Sequence, residues 1–131
     1  MSTEVLWLTL TVALTGLMWV PYILDRFATR GIMGTLGYPG PETPASSAWA
    51  ERMRLAHANA VENLVLFAPL VLAVEMTGAA SSLTAGACVV YFWARLTHFV
   101  VYALKIPVLR TLAFLVGWGA LVALAVALLG A

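Results

Sequence analysis

Four apolar runs, each close to the length needed to cross a bilayer, occupy most of this 131-residue chain. They extend from about Val5 to Leu24, Ala56 to Met76, Leu83 to Leu104 and Val108 to Leu129. A hydrocarbon core of ~30 Å takes roughly 20 residues of helix. Lipid offers the backbone no hydrogen-bond partners, so a spanning segment must satisfy its own amides. Runs this continuous, rich in Leu and Ala and without strict alternation, read as helices rather than barrel strands. Composition agrees. The chain is 63% hydrophobic and 10% charged, where soluble domains are about 45–50% apolar and about 25% charged. That leaves too little polar surface to coat a water-soluble globule. The expected fold is an all-α membrane protein, a single domain over residues 1–131 with four transmembrane helices in a bundle. Met1-Ser-Thr-Glu4 lacks a basic stretch, and no small-residue cleavage site follows it, so the first run reads as a retained span. The single Cys88 excludes an internal disulfide.

The connections set the arrangement. Asp25 to Trp49 reads as the one long loop, with a Gly37-Tyr-Pro-Gly-Pro41 run that breaks any helix. Pro44-Ala-Ser-Ser47 is a helix start, with Ser46 or Ser47 as N-cap and Glu51 in the early turns. The second helix therefore begins in water and enters the membrane near Ala56. The second connection, Thr77 to Ser82, is short. The third, at Lys105-Ile-Pro107, is tighter, with Pro107 suited to the first helical position. The seven basic residues are Arg26, Arg30, Arg52, Arg54, Arg95, Lys105 and Arg110. All lie in or beside the first or third connection, or in the half of a span that points toward them. The positive-inside rule then places residues 25–49 in the cytoplasm and both termini outside. The expected location is a bacterial inner membrane, as an integral multi-pass protein.

Helical spacing gathers the polar residues within the spans. Arg52, Leu55, Asn59 and Glu62 share one face of the second helix, and Arg95, His98 and Tyr102 share one face of the third. Arg110 and Thr111 sit in the first turns of the fourth, and Asp25 and Arg26 end the first. All four sets fall at similar depth. An Arg or Asp at the centre of a span costs about 2.5–3.5 kcal/mol, so these groups must face one another or a wet cavity rather than lipid. For Asn59 and Glu62 the choice lies between a polar lock joining helices and contact with a ligand. Such a pocket suits a small anionic or zwitterionic molecule. Arg offers forked donors to carboxylates, and a cation beside a thiol raises its thiolate fraction. A tripeptide thiol fits the inventory, as would a nucleotide, a lipid headgroup or an organic acid. His57 and His98 lack partners at ligand spacing, so no metal site is expected, and no nucleic-acid partner.

The motif Glu51-Arg52-x-x-x-Ala56-His57-x-Asn59-x-x-Glu62, followed by Phe67 and Pro69, resembles the signature of the MAPEG family, the membrane-associated proteins of eicosanoid and glutathione metabolism. Arg95-x-x-His98-x-x-x-Tyr102, then Pro107 and Arg110-Thr111, resembles that family's third-to-fourth helix segment. The resemblance covers nearly the whole chain. It implies a homotrimer with glutathione as co-substrate, bound between neighbouring subunits on the cytoplasmic side. By position it implies ligand-contacting roles for Arg26, Asn59, Glu62, Arg95, His98 and Thr111. Arg110 would stabilise the thiolate, with Tyr102 as a hydrogen-bond donor. One departure stands out. Ala58 occupies the place where the eukaryotic enzymes carry an arginine that clamps a carboxylate.

Two functions follow as expectations. One is a membrane-bound glutathione transferase or peroxidase acting on lipophilic electrophiles or hydroperoxides. The other, favoured by Ala58, is a non-catalytic member of similar architecture, serving as a structural protein or as an accessory subunit of a larger membrane complex. A small four-helix exporter ranks below both, because the first span carries no acidic residue between Val5 and Leu24.

Overall fold

Ser2 starts the first helix. Its Oγ accepts the Val5 N–H at 3.2 Å, satisfying one of the donors that a helix start leaves free. The computed structural model describes all residues, 1–131. In it α1 (Thr3–Leu17) gives way at Met18 to α2 (Trp19–Leu36). Pro21 accounts for the break, since it lacks the N–H that the Leu17 carbonyl would accept. Thr11 and Thr15 are buried here, and their hydroxyls donate to the Trp7 and Thr11 carbonyls at 2.7 and 2.8 Å. Their polarity is satisfied within the helix.

The loop expected from Asp25 to Trp49 is shorter than that reading. α2 continues to Leu36, about three turns beyond Leu24. Helical geometry is interrupted only at Gly31, with φ 70° and ψ 178°, a conformation that glycine adopts freely. The helix ends at Gly37, where Pro39 and Pro41 follow. Coil occupies residues 37–47. Two bonds hold it against α2. Arg30 Nε donates to the Pro44 carbonyl at 2.8 Å, and buried Asp25 Oδ2 accepts the Ser47 N–H at 2.9 Å. Ser47 is the N-cap of α3 (Ala48–Thr77), as expected, but Asp25 rather than the serine hydroxyl supplies the acceptor. A carboxylate is favoured there by the free amides and dipole of the helix start.

α4 (Ser82–Ala103) opens with a capping box between Ser81 and Thr84, and α5 (Pro107–Leu129) opens on Pro107 as expected. Thr3–Leu36, Ala48–Thr77, Ser82–Ala103 and Pro107–Leu129 are each long and apolar enough to cross a membrane. Polar bonds fix which ends meet. Ser2 Oγ donates to Glu75 and Thr84 Oγ1 to buried Glu4, both at 2.6 Å. They bring the N-terminus to the α3–α4 connection. Glu75 is thus engaged by a hydroxyl. At the other end Arg52 Nε donates to the Ala103 carbonyl at 3.0 Å, joining the start of α3 to the close of α4. The result is an all-α bundle of four membrane-crossing helices.

α4 runs through its centre, packed on α1, α3 and α5. The rings of Phe67 and Tyr91 stack 3.8 Å apart at 12°, surrounded by Leu8, Val71, Val74, Cys88, Leu121 and Leu124. Cys88 is buried in this cluster as a small packing residue. Gly117 lies within this packing. A Cβ there would stand 3.6 Å from Ala94 Cβ and 3.7 Å from Arg95 Cδ, so at least this helix-5 glycine serves contacts inside the chain.

Two turns close their helices in the same way. After α3, Ala79 N bonds Val74 O and Gly78 N bonds Glu75 O; after α4, Ile106 N bonds Val101 O and Lys105 N bonds Tyr102 O. Each needs a left-handed residue. The first uses Gly78 at φ 71°, the second Lys105 at φ 61°. Gly78→Ala is expected to destabilise the protein by about 1 kcal/mol and Lys105→Gly to stabilise it by a similar amount. Thermal unfolding in detergent should show shifts of opposite sign.

Candidate functional site

Arg95 is the least expected feature of the interior. It is 2% exposed, within a helix that crosses the membrane. Its Nη2 donates to Asn59 Oδ1 at 2.6 Å, joining α4 to α3. Asn63, one turn beyond Asn59, donates from Nδ2 to the Asn59 carbonyl at 2.8 Å and reaches Asn59 Oδ1 at 3.4 Å. No carboxylate pairs with Arg95 inside the chain; the one ion pair present is the surface contact of Arg54 with Glu51 at 2.6 Å.

Asn59 also lines an open hollow of about 280 Å³ with His98, Tyr102, Arg110, Thr111 and Phe114. Spacing on α4 puts His98 and Tyr102 on one face, and the tight turn at Lys105 folds α5 back beside it. Arg110 lies over the Tyr102 ring, 4.8 Å from its centroid, a cation–π geometry that orients the guanidinium. His98 is buried, with its ring edge-on to Tyr102 at 5.5 Å. A second hollow of about 80 Å³ adjoins the first through Tyr102 and Arg110 and adds Arg52 and Lys105 to the lining. Three cations therefore flank Tyr102, and no carboxylate lines either hollow. The walls offer hydrogen-bond donors and positive charge, which suits an anionic ligand.

The structure brings five of the eight residues picked from the sequence around this hollow: Asn59, His98, Tyr102, Arg110 and Thr111. Arg95 stands behind it, bound to Asn59. Arg26 and Glu62 are not part of it. Arg26 lies 5.9 Å from the centroid of Tyr22, whose hydroxyl meets His57 Nδ1 at 2.7 Å. Glu62 is exposed and has no hydrogen-bond or ionic partner within the chain. Asn63 and Lys105 lie outside the polar set that helical spacing gathers, and Arg52 lies in it without a ligand role. Asn63 falls inside the Ala56–Met76 apolar run, and its position four after Asn59 is the available signal. Lys105 reads only as one of the basic residues at the third connection. A larger groove of about 390 Å³ lies between α4 and α5 from Val89 to Val116, but Thr97 is its one polar residue, so it offers no chemistry.

Removing the partner of a buried charge costs more than removing the charge. Asn59→Leu is expected to destabilise the protein by about 2–3 kcal/mol, because it leaves the Arg95 guanidinium buried with one bond fewer. Arg95→Met should cost less than about 1 kcal/mol. Chemical denaturation in detergent compares the two, and the reverse order would mean that Arg95 is neutralised by another group.

The family model for the MAPEG family matches residues 5–130 of the chain. No curated protein matches it. The four spans, the polar hollow between α3, α4 and α5 and the extent of this match together place the chain in the MAPEG family.

Proposed function

We propose that this protein is a membrane-bound glutathione-dependent transferase or peroxidase acting on lipophilic electrophiles or hydroperoxides, with its site completed between the subunits of a homotrimer. The observation that carries the reading is the carboxylate-free hollow in which Arg110 lies over Tyr102 beside Asn59, His98 and Thr111. Glutathione has two carboxylates, one ammonium and one thiol. Arg52, Lys105 and Arg110 match the anionic groups. Glu62 matches the ammonium, yet it points out of its own chain. An unpaired carboxylate facing lipid is costly. A neighbouring subunit supplying the other wall of the site relieves that cost, which supports the shared-site arrangement.

The chemistry asked of the protein is modest. Arg110 holds the thiolate form of glutathione, with Tyr102 or Thr111 donating a hydrogen bond to sulfur, and the thiol proton passes to water. The thiolate then attacks carbon of the electrophile, which adds it or expels a leaving group. With a hydroperoxide it attacks the peroxide oxygen, the alcohol leaves, and a second glutathione completes the disulfide with release of water.

Ala58 favours the second reading, a non-catalytic MAPEG protein, since it removes one cation from the ligand side of α3. Titration of glutathione into the detergent-solubilised protein separates the two. The enzyme reading expects a saturable thiolate absorbance. It also expects Arg110→Ala to lower kcat/KM at least about tenfold at neutral pH, the loss of one charge-assisted contact of about 1.5–3 kcal/mol. A cation lowers the thiol pKa, so its removal should move the rate profile to higher pH, with activity partly recovered there. No saturable signal in the wild type, together with no effect of Arg110→Ala, would favour the accessory reading. Native mass spectrometry should find trimers, and a stable monomer that retains glutathione binding would sink the shared site.

A further inference from the structure

We infer that Asn63 is a positioning residue that, with Arg95, locks the carboxamide of Asn59 so that its NH2 group and not its oxygen is presented to the ligand. Asn59 then acts only as a donor, and the ligand group it meets is an acceptor such as a carboxylate. The inference deepens the proposed function and rests on it for the identity of the ligand.

The orientation of an asparagine amide is decided by its partners. Here Arg95 identifies the oxygen, and Asn63 adds a second donor that holds it. Guanidinium nitrogens donate and never accept, so the atom of Asn59 lying 2.6 Å from Arg95 Nη2 is the oxygen. Asn63 Nδ2 approaches the same oxygen at 3.4 Å while donating to the Asn59 backbone carbonyl at 2.8 Å. The Asn63 side chain is 9% exposed and Arg95 is 2% exposed, so both donors are held by packing. Rotating the Asn59 amide by half a turn would set its NH2 against two donors in a low-dielectric interior. That would break one charge-assisted bond and leave a buried guanidinium nitrogen without an acceptor. The Asn59 Nδ2 makes no bond within the chain and is not sealed in the interior, and the residue lines the hollow. With Arg110 beside it, this wall can meet a carboxylate or thiolate and repels an ammonium.

Four forms of the full chain in detergent test this: wild type, Asn63→Leu, Asn59→Asp and the double variant, with glutathione affinity measured by calorimetry. Asn59→Asp keeps an oxygen for Arg95 but removes the donor, and its two oxygens are equivalent, so the lock has nothing to orient. Asn63→Leu is expected to weaken glutathione about three- to tenfold in the wild-type background and to have no further effect beside Asn59→Asp. Equal losses in both backgrounds, or no loss in either, would overturn the role of Asn63. A merely structural role gives the equal losses. A second measurement needs no ligand. Hydrogen exchange of side-chain amides by NMR should find the Asn63 NH2 protected and the Asn59 NH2 exchanging at least about tenfold faster. The opposite order would overturn the lock. Failure of the wild type to bind glutathione, with this exchange order intact, would sink the ligand assignment and leave the lock standing.

Discussion

A guanidinium held inside a membrane-crossing bundle constrains everything around it. Arg95 cannot lose its proton or reach water from its buried position, so the bundle must bring acceptors to it. One comes from α3, as the Asn59 oxygen. That requirement sets the register of α3 against α4 more tightly than apolar packing does, because Leu, Val and Ala contacts tolerate sliding whereas a 2.6 Å bond does not. α5 passes beside the Arg95 stem at Gly117, where an added Cβ would stand 3.7 Å from Arg95 Cδ, an ordinary contact. Arg95 thus ties α4 to α3 with α5 alongside, and the hollow at Tyr102 and Arg110 forms where those three helices meet.

The two ends of the bundle use opposite chemistry. Where the N-terminus meets the α3–α4 connection, buried Glu4 and half-buried Glu75 accept from the hydroxyls of Thr84 and Ser2. Where the long connection lies, Arg30 and Arg52 donate to backbone carbonyls and Asp25 accepts the N–H of Ser47, the N-cap of α3. Between them sits a dry layer centred on the stacked Phe67 and Tyr91. Hydroxyl–carboxylate bonds close one end with neutral donors. At the other end Arg54 pairs with Glu51, whereas Arg30 and Arg52 reach backbone carbonyls and Arg26 and Arg110 lie over tyrosine rings, so the positive charge of these four remains available to a ligand.

The helices were legible because lipid leaves the backbone no alternative, and the starts of α3 and α5 were legible because Ser47 and Pro107 carry local chemistry. The extension of α2 from Asp25 to Leu36 was not. Gly31 and Gly34 argue for loop on propensity alone; the helix does break its geometry at Gly31, and tertiary bonds from Asp25 and Arg30 to the following coil anchor the part before it. The depth and face of Asn59, His98 and Tyr102 followed from the 3.6-residue period. Where their side chains point did not. Asn59 and Glu62 are three residues apart and read as one face, yet Asn59 turns to Arg95 and Glu62 turns outward. Periodicity gives an angle about a helix to within tens of degrees, and that range spans both outcomes at the edge of an interface.

That edge position is informative in its own right. Residues that line the hollow divide by what they can reach inside their own chain. His98 is enclosed, as is Arg95 behind it, Asn59 and Tyr102 are half-enclosed, and Arg110 and Thr111 lie open. Glu62 and Ala58 continue the open side on α3. A wall that is rigid where it is buried and unfinished where it is exposed is what the proposed intersubunit site requires. The enclosed residues fix geometry, and the open ones are left for ligand or neighbour. Ala58 then removes a cation from the open side alone and leaves the Arg95–Asn59 framework untouched. Its effect should therefore fall on ligand affinity and not on the fold, which separates the question of whether this protein binds glutathione tightly from the question of whether it builds the site at all.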